Sequence, residues 1–226
     1  MAKRTAADKD GVAVIGLGRF GFALARELVA EEVEVLGIDL DQDIVEEYAS
    51  DLTHVVQADA TEEDVLRELG IAHMGRVVIA TSDLESSILI ATTVMELGVP
   101  TTWAKVGSRR HAQILLKLGV NHVVFPEDDM GKRVAHLVRG RMLDYIELDD
   151  GYAFVKTRPP RNICDTPLSE GGFRRKYGIT VVGVKTPHDE FTYADGDTVI
   201  SVDDIIIVSG TRDAVEKFAD HSTTSS

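Results

Sequence analysis

Short apolar runs alternate with amphipathic stretches along the first half of the chain. The runs are VAVIGL, VEVLGID, HVVQAD, RVVIAT, TTWAKV and HVVFPE, and the stretches between them carry apolar residues at helical spacing. Six strands separated by five helices predict a doubly wound parallel sheet, because parallel neighbours need a crossover between them. We therefore expect an α/β, Rossmann-like domain over residues 11–125.

The ends of several predicted helices are marked by residues with capping chemistry. Thr61 and Ser108 directly precede helical patterns, and their hydroxyls are predicted to cap the first turns. Gly70, Gly98 and Gly119 follow helical patterns and are predicted to end them. These boundaries support the division of the sequence into alternating strands and helices.

A further amphipathic helix is predicted directly after the sixth apolar run, within a linking segment over residues 126–145. Its apolar stripe consists of Met130, Val134, Leu137, Val138 and Met142. A stripe beyond a complete sheet packs either into its own core or on a second copy of the chain. The pattern leaves both interpretations open.

Over residues 146–220 the predicted strands and helices are shorter and no longer alternate regularly. The predicted strands are GYAFVKT, ITVVGVK and one or two more within DTVISVDDIIIVSG. PLSEGGFRRKYG is a predicted short helix, and TRDAVEKFAD is a predicted helix capped by Thr211. This predicts a small α+β domain. The polar segments 1–10 and 221–226 are predicted to be disordered tails.

The charge and cysteine content exclude several classes of protein. There are 24 Lys and Arg against 38 Asp and Glu, a net charge of −14, which disfavours a nucleic-acid partner or an anionic membrane surface. A single cysteine, Cys164, forms no intrachain disulfide and suits a reducing cytoplasm. No apolar run reaches the ~18–20 residues of a membrane span.

The most informative motif is G-x-G-x-x-G, formed by Gly16, Gly18 and Gly21 directly after the first apolar run. These glycines allow a tight turn, the approach of a diphosphate to the backbone, and close packing of helix and sheet. Asp39 ends the second apolar run, 18 residues after Gly21, where a carboxylate binds ribose hydroxyls and repels a 2′-phosphate. The context predicts an adenine-nucleotide pocket and disfavours NADP.

The motif alone does not distinguish NAD, ATP and ADP, which share the ADP part. The seven histidines are scattered and lack ligand or catalytic spacing, and no P-loop lysine is followed by Ser or Thr. We therefore expect a nucleotide sensor and no enzyme. An NAD-dependent oxidoreductase, an NAD(H) sensor and a redox-sensing transcription regulator are the alternatives.

Several ordered motifs resemble one family along residues 11–219. They are GLGRFG, QADATEEDVLRELGI, ATSDLESSILIATTVMELGV, WAKVGSRRHAQILLKLGVNHVVFPEDDMGKRVA and RRKYGITVVGVK. The chain is similar in these to the cytoplasmic regulatory subunits of Ktr/Trk potassium-uptake systems. The resemblance implies a regulator-of-potassium-conductance (RCK, or KTN) domain followed by an RCK C-terminal domain, and a single RCK unit is typical of the Ktr type.

The resemblance also implies partners and an assembly. Dimers would form through the crossover helix after Pro126 and stack into an octameric ring. The ring would bind a potassium-translocating membrane subunit at the inner face of the cell membrane. ATP and ADP would bind the N-terminal domains, and the difference between them would change the shape of the ring.

Particular site residues follow from the same resemblance. The loop residues implied to line the phosphates are Gly16, Gly18, Arg19, Phe20 and Gly21, and Asp39 would hold the ribose. Contacts on the adenine side and at the rim are implied for Asp59, Ala60, Thr81 and Ser82. Lys105 would reach a phosphate, and Glu127 would hold a divalent cation against the nucleotide.

A second ligand, cyclic di-AMP, is implied for the C-terminal domain. Arg174 of RRKYG and Ile179 match the contact region of the family. The strand after DEFTYAD departs from the pattern, because it lacks the proline expected there.

Overall fold

The computed structural model describes residues 11–139 and 142–222. The chain divides into two compact units, and the division falls after Glu127. The predicted tail over residues 1–10 lies outside the described residues, as do residues 223–226 of the second predicted tail.

The first unit is built on a six-stranded parallel sheet. Its strands are β1 (Val12–Ile15), β2 (Val35–Asp39), β3 (His54–Gln57), β4 (Arg76–Ile79), β5 (Thr101–Lys105) and β6 (His122–Val124). They lie side by side in the order β3-β2-β1-β4-β5-β6. This is the doubly wound order, and it confirms the predicted Rossmann-like fold.

Five helices connect these strands and pack on both faces of the sheet. They are α1 (Arg19–Ala30), α2 (Gln42–Tyr48), α3 (Glu63–Glu68), α4 (Leu84–Glu96) and α5 (Arg109–Leu118). Along β1, Val12 and Val14 belong to one buried cluster, and Ala13 and Ile15 to another. Because β1 is buried on both faces, its sequence is a continuous apolar run and does not alternate.

The predicted helix ends are partly correct. Ser108 accepts a hydrogen bond from the His111 amide, and Gly119, with φ of +103°, ends α5 as expected. The prediction for Thr61 was wrong, because α3 begins one residue later than a Thr61 cap requires, with Glu62 as its N-cap. The Thr61 hydroxyl instead donates to Asp59, at 2.6 Å.

His111 of α5 is a buried residue that packs against α4. Its imidazole is buried, and Nε2 lies 3.0 Å from the Ser87 hydroxyl. Burial lowers the pKa of His111 below its usual value, because the charged form loses its water. Burial of the neutral imidazole therefore contributes fully to the free energy of unfolding above the unfolded-state pKa of about 6.5. That contribution is lost as the pH falls below this value, because the unfolded chain binds the proton more readily.

The helix after the first sheet, α6 (Pro126–Val138), begins at the end of the first unit and continues into the second. Met130, Val134 and Val138 are 53%, 42% and 78% exposed, whereas Leu137 packs against the core of the second unit. Met142 was predicted to belong to this stripe, but it does not. The helix ends at Val138, and Met142 is buried in the second core.

The second unit is built on a five-stranded antiparallel sheet, which confirms the predicted α+β domain. Its strands are β7 (Asp144–Glu147), β8 (Tyr152–Thr157), β9 (Ile179–Lys185), β10 (Thr192–Tyr193) and β11 (Ile205–Thr211), in the order β10-β9-β11-β8-β7. Its helices are α7 (Leu168–Gly171), α8 (Phe173–Tyr177) and α9 (Arg212–Ser222). Strands β7 and β10 were not predicted.

Two helical predictions in this unit need correction. PLSEGGFRRKYG forms two short helices, because Gly172 adopts a left-handed conformation with φ of +60° between them. Helix α9 continues through Ser222, into the segment predicted to be a tail. Within the described residues, no helix combines the length and the apolar character that a membrane span requires.

Candidate nucleotide-binding site

The glycine loop joins β1 to α1 at the carboxyl edge of the sheet, where the strand order reverses between β1 and β4. Gly16 has φ of +93°, and a β-carbon there would lie 3.0 Å from the Thr81 nitrogen. A β-carbon on Gly21 would lie 1.9 Å from the Gly16 carbonyl oxygen. Around Gly18 a β-carbon would meet nothing within 4 Å. Packing therefore requires two of the glycines, and the third faces open space.

The first turn of α1 presents hydrogen-bond donors at this loop. The first helical bond runs from the Phe22 amide to the Gly18 carbonyl, 2.9 Å, so the amides before it have no partner within the helix. Arg19 is exposed on this turn, while Phe20 is half-buried against the apolar cluster beneath α1. Backbone donors, a helix dipole and a guanidinium together favour an anion.

Asp39 connects the end of β2 to the glycine loop. Its Oδ2 accepts a hydrogen bond from the Leu17 amide at 2.6 Å, and its Oδ1 accepts one from the Asp41 amide at 3.0 Å. The carboxylate therefore holds the loop in place. Each oxygen keeps a second lone pair, so the group is still able to accept hydrogen bonds from ribose hydroxyls.

A cavity of about 150 Å³ opens beside Asp39, at the carboxyl ends of β1 to β4. The predicted residues that line it are Gly16, Asp39, Asp59, Ala60 and Thr81. Sequence reasoning did not identify the other lining residues, Ile15, Ile38, Leu40, Ala58, Thr61, Ser86 and Ile90. Of these, Ile15 ends a strand and Leu40 and Ala58 directly follow one, and that position is the signal that would have found these three.

Asp59 is fixed in the cavity by its neighbour. Its Oδ1 accepts hydrogen bonds from the Thr61 hydroxyl at 2.6 Å and from the Thr61 amide at 2.9 Å. These bonds lower the pKa of Asp59, because they stabilise the carboxylate form. Asp59 is therefore an ionised acceptor held in one orientation.

Three further predicted residues form a separate hydrogen-bonded group. The Lys105 ammonium lies 3.2 Å from the Ser82 hydroxyl and 2.7 Å from Glu127 Oε1. The Lys105 side chain is 12% exposed and that of Glu127 is 68% exposed. The hydrogen bond from Lys105 lowers the pKa of Glu127, and the charge of Arg19 acts in the same direction.

The arrangement suits an anionic ligand that carries hydroxyl groups. Arg19, Lys105 and the α1 amides supply positive potential, and Asp39 and Asp59 supply acceptors. Among the described residues, no three His, Cys, Asp or Glu side chains are grouped as ligands of a metal ion.

Comparison with known proteins identifies the family. The TrkA-N domain model matches residues 12–126, and the TrkA-C domain model matches residues 153–222. The Ktr system potassium uptake protein C of Bacillus subtilis is 37% identical over 212 residues, which cover 93% of this chain and 96% of the relative. The chain belongs to the Ktr family. Its membership confirms the resemblance noted in the glycine loop and the later motifs.

Other Ktr proteins match over nearly the same length. The Ktr system potassium uptake protein A of Bacillus subtilis is 34% identical over 208 residues, covering 91% of this chain and 94% of the relative. The Ktr system potassium uptake protein A of Vibrio alginolyticus is 34% identical, covering 89% and 92%.

Solved structures share the fold of this Ktr-family chain. The GsuK RCK domain has a TM-score of 0.66 at 18% identity and covers all of this chain. The GsuK channel bound to NAD has a TM-score of 0.65 at 17% identity and covers 97% of it. The chain spans 50% and 40% of these two longer chains. The likeness confirms the predicted fold.

Proposed function

We propose that this Ktr-family protein is a nucleotide-sensing regulatory subunit. It binds ATP and ADP at the glycine loop, and the bound nucleotide controls a potassium-translocating membrane subunit from the cytoplasmic side. One observation carries the proposal. The glycine loop, the Asp39 carboxylate and the cationic side chains of Arg19 and Lys105 are found at the same edge of the sheet. The names of the Ktr relatives support the link to potassium uptake.

The geometry supports binding more than catalysis. Among the residues that line the cavity, the titratable ones are Asp39 and Asp59, and both carboxylates already accept hydrogen bonds from the chain. A general base must be able to reach the reacting proton of the substrate, whereas these two carboxylates are held in one position by the chain. NAD(H) is the alternative ligand, and it is favoured by the NAD named in the GsuK channel structure.

Modest discrimination between nucleotides is sufficient for control. A tenfold preference for one state corresponds to about 1.4 kcal/mol per site. Coupled over a ring of about eight chains, this exceeds the ~5.5 kcal/mol that moves a two-state equilibrium from 1:99 to 99:1.

Calorimetry of the full chain with ATP, ADP, NAD, NADH and cyclic di-AMP tests the proposal. We expect ATP and ADP to bind at one site per chain. If only NADH binds tightly and a substrate is turned over, the proposed sensor function is wrong and the protein is an oxidoreductase.

Arg19→Ala is expected to weaken ATP binding by about tenfold and leave ADP nearly unchanged. The guanidinium forms charge-assisted hydrogen bonds, and the third phosphate of ATP is the group that the backbone amides leave without a partner. Titration of both nucleotides measures the difference. Arg26→Ala is the control, because Arg26 is an exposed arginine two turns further along α1. Equal losses for ATP and ADP would assign Arg19 to the diphosphate and remove it from sensing.

We further propose that the exposed stripe of α6 joins copies of the chain. Met130, Val134 and Val138 leave an apolar surface in the single chain. The double variant Val134→Glu, Val138→Glu is expected to reduce the assembly to smaller species, measured by light scattering, with ADP binding intact. Ala135→Glu is the matched control, since Ala135 is exposed on another face of α6. An unchanged mass would exclude the stripe as an interface.

A second ligand is proposed for the C-terminal unit. A cavity of about 610 Å³ there is lined by Arg174, Ile179 and Asp195, among others. Nε of Arg174 donates to the Thr180 hydroxyl at 3.0 Å, and this fixes the guanidinium at the cavity. Cyclic di-AMP carries two phosphates that such a group would bind, and the calorimetric series tests it directly.

A further inference from the structure

Lys105 already has an anionic partner from its own chain. Its ammonium lies 2.7 Å from Glu127 Oε1, the shorter of its two hydrogen-bonding distances, with the Ser82 hydroxyl at 3.2 Å. With only 12% of its side chain exposed, Lys105 has little freedom to choose another position. The Glu127 side chain is 68% exposed, so it is the less constrained partner of the pair.

The ion pair lies beside the edge proposed to bind phosphate. Ser82 follows Thr81, whose backbone nitrogen would be the nearest atom to a β-carbon placed on Gly16. Arg19, on the first turn of α1, is near enough for its charge to act on the Glu127 carboxylate. The pair therefore shares the electrostatic field of the glycine loop.

We propose that Glu127 takes the place of a phosphate oxygen on Lys105 in the ligand-free chain. The nucleotide phosphate and the first turn of α6 then compete for one ammonium group. Carboxylate and phosphate oxygens are interchangeable acceptors for an N–H donor at this distance. This inference rests on the proposed function, because it assumes that a phosphate reaches the loop.

The competition links the site to the rest of the chain. Glu127 is the second residue of α6 and the last residue before the division between the units. The same helix continues to Leu137, which packs against the core of the second unit. A ligand that takes Lys105 releases the first turn of the connecting helix, and the freed Glu127 becomes available to a divalent cation on the phosphate.

A purely structural ion pair would give a different result. Glu127 near the start of a helix also stabilises that helix through its dipole. In that case, removing its charge would change the stability of α6 and leave Lys105 equally available to ligand. A gain in nucleotide affinity is expected only from the competition, and unchanged affinity is expected from a purely structural ion pair.

The first experiment is titration of ADP into the full chain without divalent cations. Glu127→Gln is expected to bind ADP about fivefold more tightly than the natural chain, because the competing carboxylate charge is gone. Asp128→Asn removes the same charge from the adjacent exposed residue, and we expect its affinity to stay within about twofold of the natural value. Unchanged or weaker binding by Glu127→Gln would overturn the inference.

The second experiment repeats the titration in a Lys105→Gln background. If Glu127 acts through Lys105, the gain from Glu127→Gln disappears there. If the gain persists, simple repulsion between Glu127 and phosphate explains it, and the competition is refuted. A natural chain that binds no nucleotide at all refutes the proposed function itself, whereas normal ADP binding without the gain refutes only this inference.

Discussion

Gly21→Ala is expected to lower the free energy of unfolding of the first unit by about 2–3 kcal/mol. The added β-carbon would lie 1.9 Å from the Gly16 carbonyl oxygen and 3.1 Å from the Ala80 β-carbon. Backbone atoms cannot rotate away as a side chain does, so α1 must move off the sheet. Denaturant unfolding measures the loss, and ADP titration of the folded fraction measures the accompanying damage to the site.

Gly18→Ala is the matched control, with the opposite expected profile. A methyl group there meets nothing within 4 Å, and the backbone, at φ −62° and ψ −177°, suits alanine. We expect stability within about 0.5 kcal/mol of the natural chain but about tenfold weaker ADP binding, because the methyl group would obstruct the diphosphate. Natural affinity in this variant would show that the phosphates do not lie over Gly18.

Asp39→Ala is expected to weaken ATP and ADP about equally, by tenfold or more. Charge-assisted hydrogen bonds to the ribose contribute roughly 1.5–3 kcal/mol, and both nucleotides carry the same ribose. The variant also removes the acceptor of the Leu17 amide, which loosens the glycine loop. Calorimetric titration of both ligands measures the effect.

Two variants separate the charge of Asp39 from its geometry. Asp39→Asn keeps one acceptor oxygen and is expected to lose less affinity than the alanine variant. Asp41→Asn removes a neighbouring charge while keeping a good cap for α2, and we expect natural affinity. Unchanged binding of both nucleotides by Asp39→Ala would remove the ribose role.

The sequence was sufficient for the first sheet because its signals are local. Parallel strands that are buried on both faces have continuous apolar sequences. Helix ends such as Gly119 adopt a left-handed backbone conformation that favours glycine. The roles of Gly16 and Gly21 also follow from the strand–loop–helix context. The TrkA-N and TrkA-C matches agree with the predicted family.

The errors arose where a specific side-chain contact overrides the preference of the residue type or spacing. Thr61 is a good cap by type, but Asp59 captures its hydroxyl. Met142 fits the stripe of α6 by spacing, but the helix ends and the second core buries the side chain. The pairing of Lys105 with Glu127 joins residues on different elements, and no periodic pattern encodes it.

The bond between Asp39 and the Leu17 amide has a consequence for the energetics of recognition. Because the loop is held by its own carboxylate, its backbone is pre-organised, and little conformational entropy is lost when a ligand arrives. The adenosine diphosphate part would then meet the same rigid surface in every nucleotide. Any difference in free energy between two nucleotides must come from groups beyond that surface, at side chains such as Arg19.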